Sequence, residues 1–431
     1  MSRRLLLLVT TQTYRAGAFI AASRALEVDL TVASERAQAL ASLHPQGHLL
    51  IDFRAPGAAL AQIHEFAARH PVHAVIGADD ECAVLAARAA EMLGLRGAPS
   101  VAVGAARDKA QARESFAAAG LHTPPFAVVP HHAPAAVVAG GPGASEAPAE
   151  LRAVGFPCVL KPRGLSASRG VIRANDAAQF AAAFARIRHI LETEGPAGPD
   201  EPPRDSILVE RFIPGREVAL EGLMTGGELR LLALFDKPDP LDGPFFEETI
   251  YVTPSRLPAA QQRQVMEATL QAARALDLRD GPIHAEFRIN ASGVWPIEIA
   301  PRSIGGLCSR AVRFEGGDSL EMVLLRHALA DPSEARPDAM ASGVMMIPIP
   351  GPGRLRAVRG VDEARAVAGV VELSLTRPLG SELVPLPEGA QYLGFIFSRG
   401  DDPELAERSL RECHGRLEFD IEEPAPAGQE I

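Results

Sequence analysis

The chain has 431 residues, 47% of them hydrophobic, and a formal charge of -11. Such a length accommodates about two to four domains, no apolar run reaches the roughly 18 residues of a membrane span, and the acidic balance argues against nonspecific nucleic-acid binding. Cys82, Cys158, Cys308 and Cys413 are scattered, with no CxxC pair, which predicts buried thiols in a reducing cytoplasm.

The opening stretch MSRRLLLLVTTQTYR reads as a buried first strand over residues 4–9, since its apolar part is too short for a signal peptide. A helix over 16–26 and a strand over 29–32 follow, the start of a parallel α/β unit. VHAVIGADD supplies a further strand, with Asp80 capping the helix that runs to Leu93. No GxGxxG follows the first strand and no GxxxxGK[ST] occurs anywhere, which excludes a dinucleotide fingerprint and P-loop chemistry.

Residues 106–120 read as a helix with Asp108 at its cap and Lys109 in its first turn. A lysine there opposes the helix macrodipole, which points to a negative group nearby. Only Lys109, Lys161 and Lys237 are lysines among 43 basic residues. A compact ammonium suits a closely approached phosphate, so these three are candidates, with chance as the plain alternative.

Two Pro/Gly/Ala-rich stretches, 131–150 and 194–205, read as surface loops. Between them a buried strand ends at Lys161 and runs into GLSASRG. Its backbone amides, with Ser166 and Ser168, can cradle phosphate, although the same residues also make ordinary turns. Over 206–224 two strands flank Pro214-Gly215, with Glu217, Ala219 and Glu221 on one face. Lys237 then precedes a loop, and Glu248 falls on the apolar face of a strand, where it needs a partner: an arginine of the protein or the ammonium of a ligand.

After a helix over 257–276 comes GPIHAEFRINASGVWPIEIAPRSIGG, residues 281–306. It reads as a hairpin. With Ala291-Ser292-Gly293 as a three-residue loop, Asn290 faces Val294 and Glu286 faces Glu298. Two opposed carboxylates repel unless a cation lies between them, and an all-oxygen set suits Mg²⁺; a solvated sheet face is the plain alternative. From Asp331 onward strands and two helices form an α+β region without polar clusters, ending in a tail, EEPAPAGQE, expected to be disordered.

Taken in order, Lys109, Lys161, the Gly-bounded loop, ERFIPGRE and the paired glutamates resemble the ATP-grasp superfamily. Within it the chain looks most like carboxylate–amine ligases of the L-amino acid ligase type, which join amino acids into dipeptides. The resemblance implies an α/β ATP-grasp fold with an N-terminal parallel α/β domain (1–95), an ATP-grasp domain (96–330, lid subdomain about 155–213) and a C-terminal α+β domain (331–431).

It also implies roles. Lys109 and Lys161 would hold the phosphates of ATP beneath a lid at 163–170 that includes Ser166 and Ser168. Glu210, Arg211, Phe212 and Ile213 would form the hinge against adenine, and Glu217 would take the ribose. Glu286 and Glu298 would bind Mg²⁺, or Mn²⁺, and Arg302 would steady the acyl phosphate. Lys237, Glu247, Glu248, His284, Arg302, Gly305 and Gly306 would line the site for small-molecule carboxylate and amine substrates. Ala300 departs from the asparagine that such enzymes usually carry two residues after the second glutamate, which puts a second metal ion in doubt. A carboxylase of the same superfamily and a nucleotide-binding protein without turnover are the rival readings. No nucleic-acid or membrane partner is expected, and a homodimer is.

Overall fold

Leu5 to Leu8 are all inaccessible to solvent, as expected of an inner strand of a parallel sheet covered on both faces. The computed structural model describes residues 3–11, 13–36, 46–331 and 335–423, and the expected tail beyond Glu423 lies outside them. β1 (Arg4–Leu8), β2 (Asp29–Ser34), β3 (His48–Leu50) and β4 (Ala74–Gly77) form this sheet in the order β3-β2-β1-β4. Leu6 and Leu8 pack beneath Ile63 and Leu85. Leu5 and Leu7 join a core shared with the central sheet. The helix Asp80–Met92 starts where β4 ends, so residues 79–80 sit at the carboxyl edge of a parallel sheet, the usual place for a ligand.

A second sheet, antiparallel, consists of β5 (Phe126–Pro130), β6 (Cys158–Pro162), β7 (Ile172–Ala174) and β8 (Ser206–Arg211), in the order β5-β8-β6-β7. The helix Ala177–Glu194 buries Phe180, Phe184 and Ile187 against it. This unit begins at Phe126, and the stretch expected to be loop at 131–150 contains one short helix, Ala135–Gly140, and the start of a second, Ala149–Val154. Their alanine content favours helix once Val137, Leu151 and Val154 find a core to enter.

The third sheet is the backbone of the molecule. It comprises β9 (Arg216–Thr225), β10 (Glu228–Lys237), β11 (Ile250–Thr253), β12 (Gly281–Asn290) and β13 (Gly293–Ala300). The C-terminal region supplies β14 (Ala341–Ile347), β15 (Gly353–Arg359), β16 (Val370–Leu375), β17 (Glu382–Leu383), β18 (Gly394–Gly400) and β19 (Glu418–Glu422). Three of these extend the central sheet, whose order is β13-β12-β9-β10-β11-β14-β18-β16, while β17-β15-β19 form a small separate sheet. The C-terminal region is therefore hydrogen-bonded into the core, more intimately than an appendix packed against it.

Candidate active site

The site is built on four adjacent strands of the central sheet. Across β10, β9, β12 and β13 the register aligns Lys237, Glu217, Arg288 and Trp295 in one row, and Phe235, Ala219, Glu286 and Glu298 in the next. A third row places Glu221, His284 and Ala300 side by side. Residues paired across strands share a face, so the charged groups of four strands converge on one surface.

Glu286 does face Glu298, but by a different route from the one expected. Asn290 pairs with Gly293, which makes the loop the two residues Ala291-Ser292, and a bulge between β12 and β13 past Phe287 and Pro296 then restores the pairing of Glu286 with Glu298. The bulge adds one residue to β13, which offsets the one-residue shorter loop.

The opposed carboxylates are flanked by ammonium groups of the protein itself. Lys237 Nζ donates to Glu217 Oε1 (2.7 Å), Glu248 Oε1 (2.5 Å) and Glu286 Oε1 (2.9 Å). Lys109 Nζ lies 3.4 Å from Glu298 Oε2, the negative group that its place in a helix first turn called for. Glu248 precedes β11 in an extended loop, and the partner its burial demands is Lys237, neither an arginine nor a ligand. The two approach each other from β10 and from the loop before β11, a meeting that no local pattern marks.

Burial opposes the charge of Glu286, yet Lys237 and His284 outweigh it and hold the carboxyl well below the usual range. Glu248, buried beside that charge, is pushed up to about 7. His284 is buried too, but its contact with Glu221 and a 3.4 Å approach to Glu286 raise it to about 9, so it is an imidazolium at neutral pH. His284 stands across from Ala300, and its ring nitrogens are turned to Glu221 and Glu286. Glu217, Glu248 and Glu286 offer carboxylate oxygens within 4.8 Å of one another, but Lys237 Nζ donates to an oxygen of each; the opposed pair Glu286 and Glu298 is the all-oxygen set that suits a hard divalent cation such as Mg²⁺.

Lys161 and Glu210 meet on β6 and β8, with Arg113 donating to Glu210 Oε2 at 2.8 Å. Burial disfavours the Glu210 charge, but Arg113 and Lys161 together bring it down to about 2. The Lys161 ammonium is lowered by burial in spite of Glu210. At the hinge, the Phe212 amide donates to Pro157 O (3.0 Å) and Arg288 donates to Ile213 O (2.8 Å). Arg211 turns its guanidinium to Val154 O and Ala153 O. Both oxygens of Glu217 are engaged, by Lys237 and by Arg288.

Two cavities adjoin at this surface. A narrow one of about 80 Å³ is lined by Lys109, Lys161, the hinge, Glu217, Glu286 and Glu298. A wide one of about 1000 Å³ is lined by Glu248, His284, Glu286, Glu298, Arg302, Gly305 and Gly306, and Ser166 and Ser168 face both. Glu247 lines neither; its burial raises its carboxyl, and it accepts from the backbone of Ile349.

The wide cavity also draws on residues that the sequence did not mark as part of a site. Asp80 does not cap its helix; its carboxylate pairs with Arg302 at 2.7 Å. Arg15, buried, donates to Ala78 O and to Ser303 Oγ, both at 2.6 Å. Tyr392 and Phe395 come from the C-terminal region. An acidic pair at the end of a parallel strand was the available signal for Asp80; nothing local marks Arg15 or Tyr392.

Comparison with known proteins bears on this arrangement. Residues 154–311 match the ATP-grasp domain, residues 20–97 the ATP-grasp N-terminal domain, and residues 345–422 the L-amino acid ligase C-terminal domain 2. The chain is an ATP-grasp protein. Its fold is similar over 98% of its length to that of the L-amino acid ligase from Bacillus licheniformis, 99% of which is covered, with a TM-score of 0.77 and 23% identity. Among curated relatives it is 29% identical to carnosine synthase 1 of Gallus gallus over 62% of this chain and 29% of that one. It is also 29% identical to alanine–anticapsin ligase of Bacillus subtilis, over 53% of this chain and 46% of that one. The chain thus spans less than half the length of these relatives. No helix among the described residues is long and apolar enough to cross a membrane.

Proposed function

We propose that this ATP-grasp protein is an ADP-forming ligase that joins the carboxylate of an amino acid to an amine through an acyl phosphate. The observation that carries the reading is the meeting of a lysine-lined narrow cavity and an arginine-bearing wide one at Glu286 and Glu298. ATP would enter at the first, which must widen to take it, with its phosphates toward Lys109 and Lys161, and the two substrates would lie in the second.

Glu286 and Glu298 would hold Mg²⁺ or Mn²⁺. When bound, the ion neutralises phosphate oxygens and so favours transfer of the γ-phosphoryl group. Arg302, presented from the loop after β13, would orient the substrate carboxylate by two parallel hydrogen bonds and then face the charge of the acyl phosphate. Lys237 sets the charge balance of the acidic cluster, and the loop at 164–170 keeps water away. A carboxylate has no leaving group for an amine to displace. Once phosphorylated, it has phosphate. The small-molecule amine and carboxylate partners, a cytoplasmic setting and a homodimer belong to the same proposal.

The test is release of ADP and phosphate from MgATP across a matrix of paired amino acids, with mass spectrometry of the products. Release that requires both partners and yields their amide supports the ligase. Release with bicarbonate alone would replace it by the carboxylase reading, and binding of ATP without turnover in any mixture would replace it by a binding protein.

A further inference from the structure

The segment 385–393 carries no chemistry legible in its sequence, yet it touches the lid. Gly170 N donates to Pro387 O at 2.9 Å, and Arg169 Nε donates to Glu388 O at 3.0 Å. Behind the loop, on the helix Ala177–Glu194, Arg186 donates from Nε and one terminal nitrogen to the two oxygens of Glu388, at 2.5 and 2.8 Å. At the other end of the loop, Lys109 Nζ donates to Leu165 O at 2.9 Å. The loop is thus fastened on one side by the ATP-grasp body and on the other by the C-terminal region. Gly170 has a φ of +69°, and a Cβ there would come within 2.6 Å of Pro162, so glycine is what lets the loop end take this path beside Pro162.

The same segment places Ala390 and Tyr392 on the wall of the wide cavity. It therefore joins the lid directly to the space in which the substrates would lie. The Arg186–Glu388 pair has the two-pronged geometry that fixes orientation, but it is partly exposed, with side-chain accessibilities of 43% and 37%. Such a pair holds weakly, which suits a contact that must open for product to leave.

We propose that Glu388 is a positioning residue that clasps the closed lid during the lifetime of the acyl phosphate, and thereby determines how much ATP is consumed per amide formed. The proposal rests on the ligase reading. When the amine attacks the acyl carbon, a C–N bond forms, the C–O bond to phosphate breaks, phosphate leaves with the bonding pair, and the nitrogen loses a proton. When water attacks instead, the same C–O bond breaks and the free carboxylate returns, so ATP is hydrolysed without product. An unclasped lid admits water.

The experiment compares the wild type with Glu388→Ala, Arg186→Ala and the exchanged double variant Arg186→Glu/Glu388→Arg. ADP and amide are counted together under saturating MgATP and both substrates. The expected ratio is near one in the wild type, rises by about two- to fivefold in each single variant, and falls back toward one in the double variant. A ratio that stays at the wild-type value in Glu388→Ala overturns the proposal. Hydrogen exchange of the amides over 164–170, in the Mg²⁺ complex of β,γ-imido-ATP, provides a second reading. Faster exchange in Glu388→Ala is expected, and unchanged exchange overturns the clasp whatever the ratio does. If the wild type makes no amide from any pair, the ligase reading fails and the exchange measurement alone decides on the clasp.

Discussion

Arg302 and Asp80 form an ion pair at 2.7 Å that joins the loop after β13 to the first turn of a helix in the N-terminal domain. Burial opposes the charge of Asp80, and Arg302 overcomes it, so that the carboxyl lies below its ordinary value. The guanidinium is in turn held above its own ordinary value by Asp80 against burial. An arginine tethered in this way presents its remaining donors in a fixed direction. Asp80→Ala is expected to lower kcat for amide formation by about 10- to 100-fold, through loss of orientation, with KM for MgATP little changed. Arg302→Ala is expected to cost about 10²- to 10³-fold. Steady-state ADP release with both substrates saturating checks the pair of variants, and wild-type turnover in Arg302→Ala would remove this residue from the chemistry.

Replacing Glu286 or Glu298 by Gln should abolish ADP formation while the chain stays folded, since each is a partly exposed group on a well-buried sheet. Chelation of divalent ions should stop ADP formation in the wild type, and Mg²⁺ or Mn²⁺ should restore it. Isothermal titration of the ion into the nucleotide complex measures the binding. Full affinity in both variants would assign the ion elsewhere.

Glu210 holds two cations, Arg113 and Lys161, in a buried setting. Its removal in Glu210→Ala takes the carboxylate from both, leaving Arg113 only the carbonyls of Pro296 and Ile297. Breaking a buried ion pair from one side costs about 3–5 kcal/mol, so a loss of that order in urea unfolding is expected, with nucleotide binding weakened as well because Lys161 is freed to move. An equally stable variant would show that the cluster is hydrated in solution.

The pH dependence has a definite sign at His284. Its value rises from 6.5 to about 9 on folding, so the folded chain binds the proton more tightly than the unfolded chain. The stability that this contributes is complete below about pH 6.5 and is lost as the pH rises through about 9. Urea unfolding from pH 6 to 10 should therefore show a decline that is smaller in Glu221→Gln, where the carboxylate that raises His284 is neutral. A variant that declines as steeply as the wild type would show that other groups govern this window.

The periodicity of the chain and its glycines were enough to mark β1, β2, β4, β6 and the glutamate hairpin, because alternation and turn residues are local properties, while the short strands β3, β5, β7 and β19 went unmarked. The two-residue loop and the compensating bulge between Glu286 and Glu298 were not legible, since strand register is decided by which side chains the neighbouring strand and the core accept. The same limit hid Lys237 as the partner of Glu248, which meets it only when β10 lies beside β11.

Thus the amino-acid sequence by itself determined the kinds of charge available and the order in which they appear: lysine, lysine, glycine-bounded loop, glutamate, glutamate. Tertiary structure alone decided what those charges face. Arg302 finds Asp80 across 222 residues of chain, and Glu388 finds Arg186 across 202. Pairings of that range depend on loop closure and shared burial, which act on the folded whole and leave no mark in any short stretch of sequence.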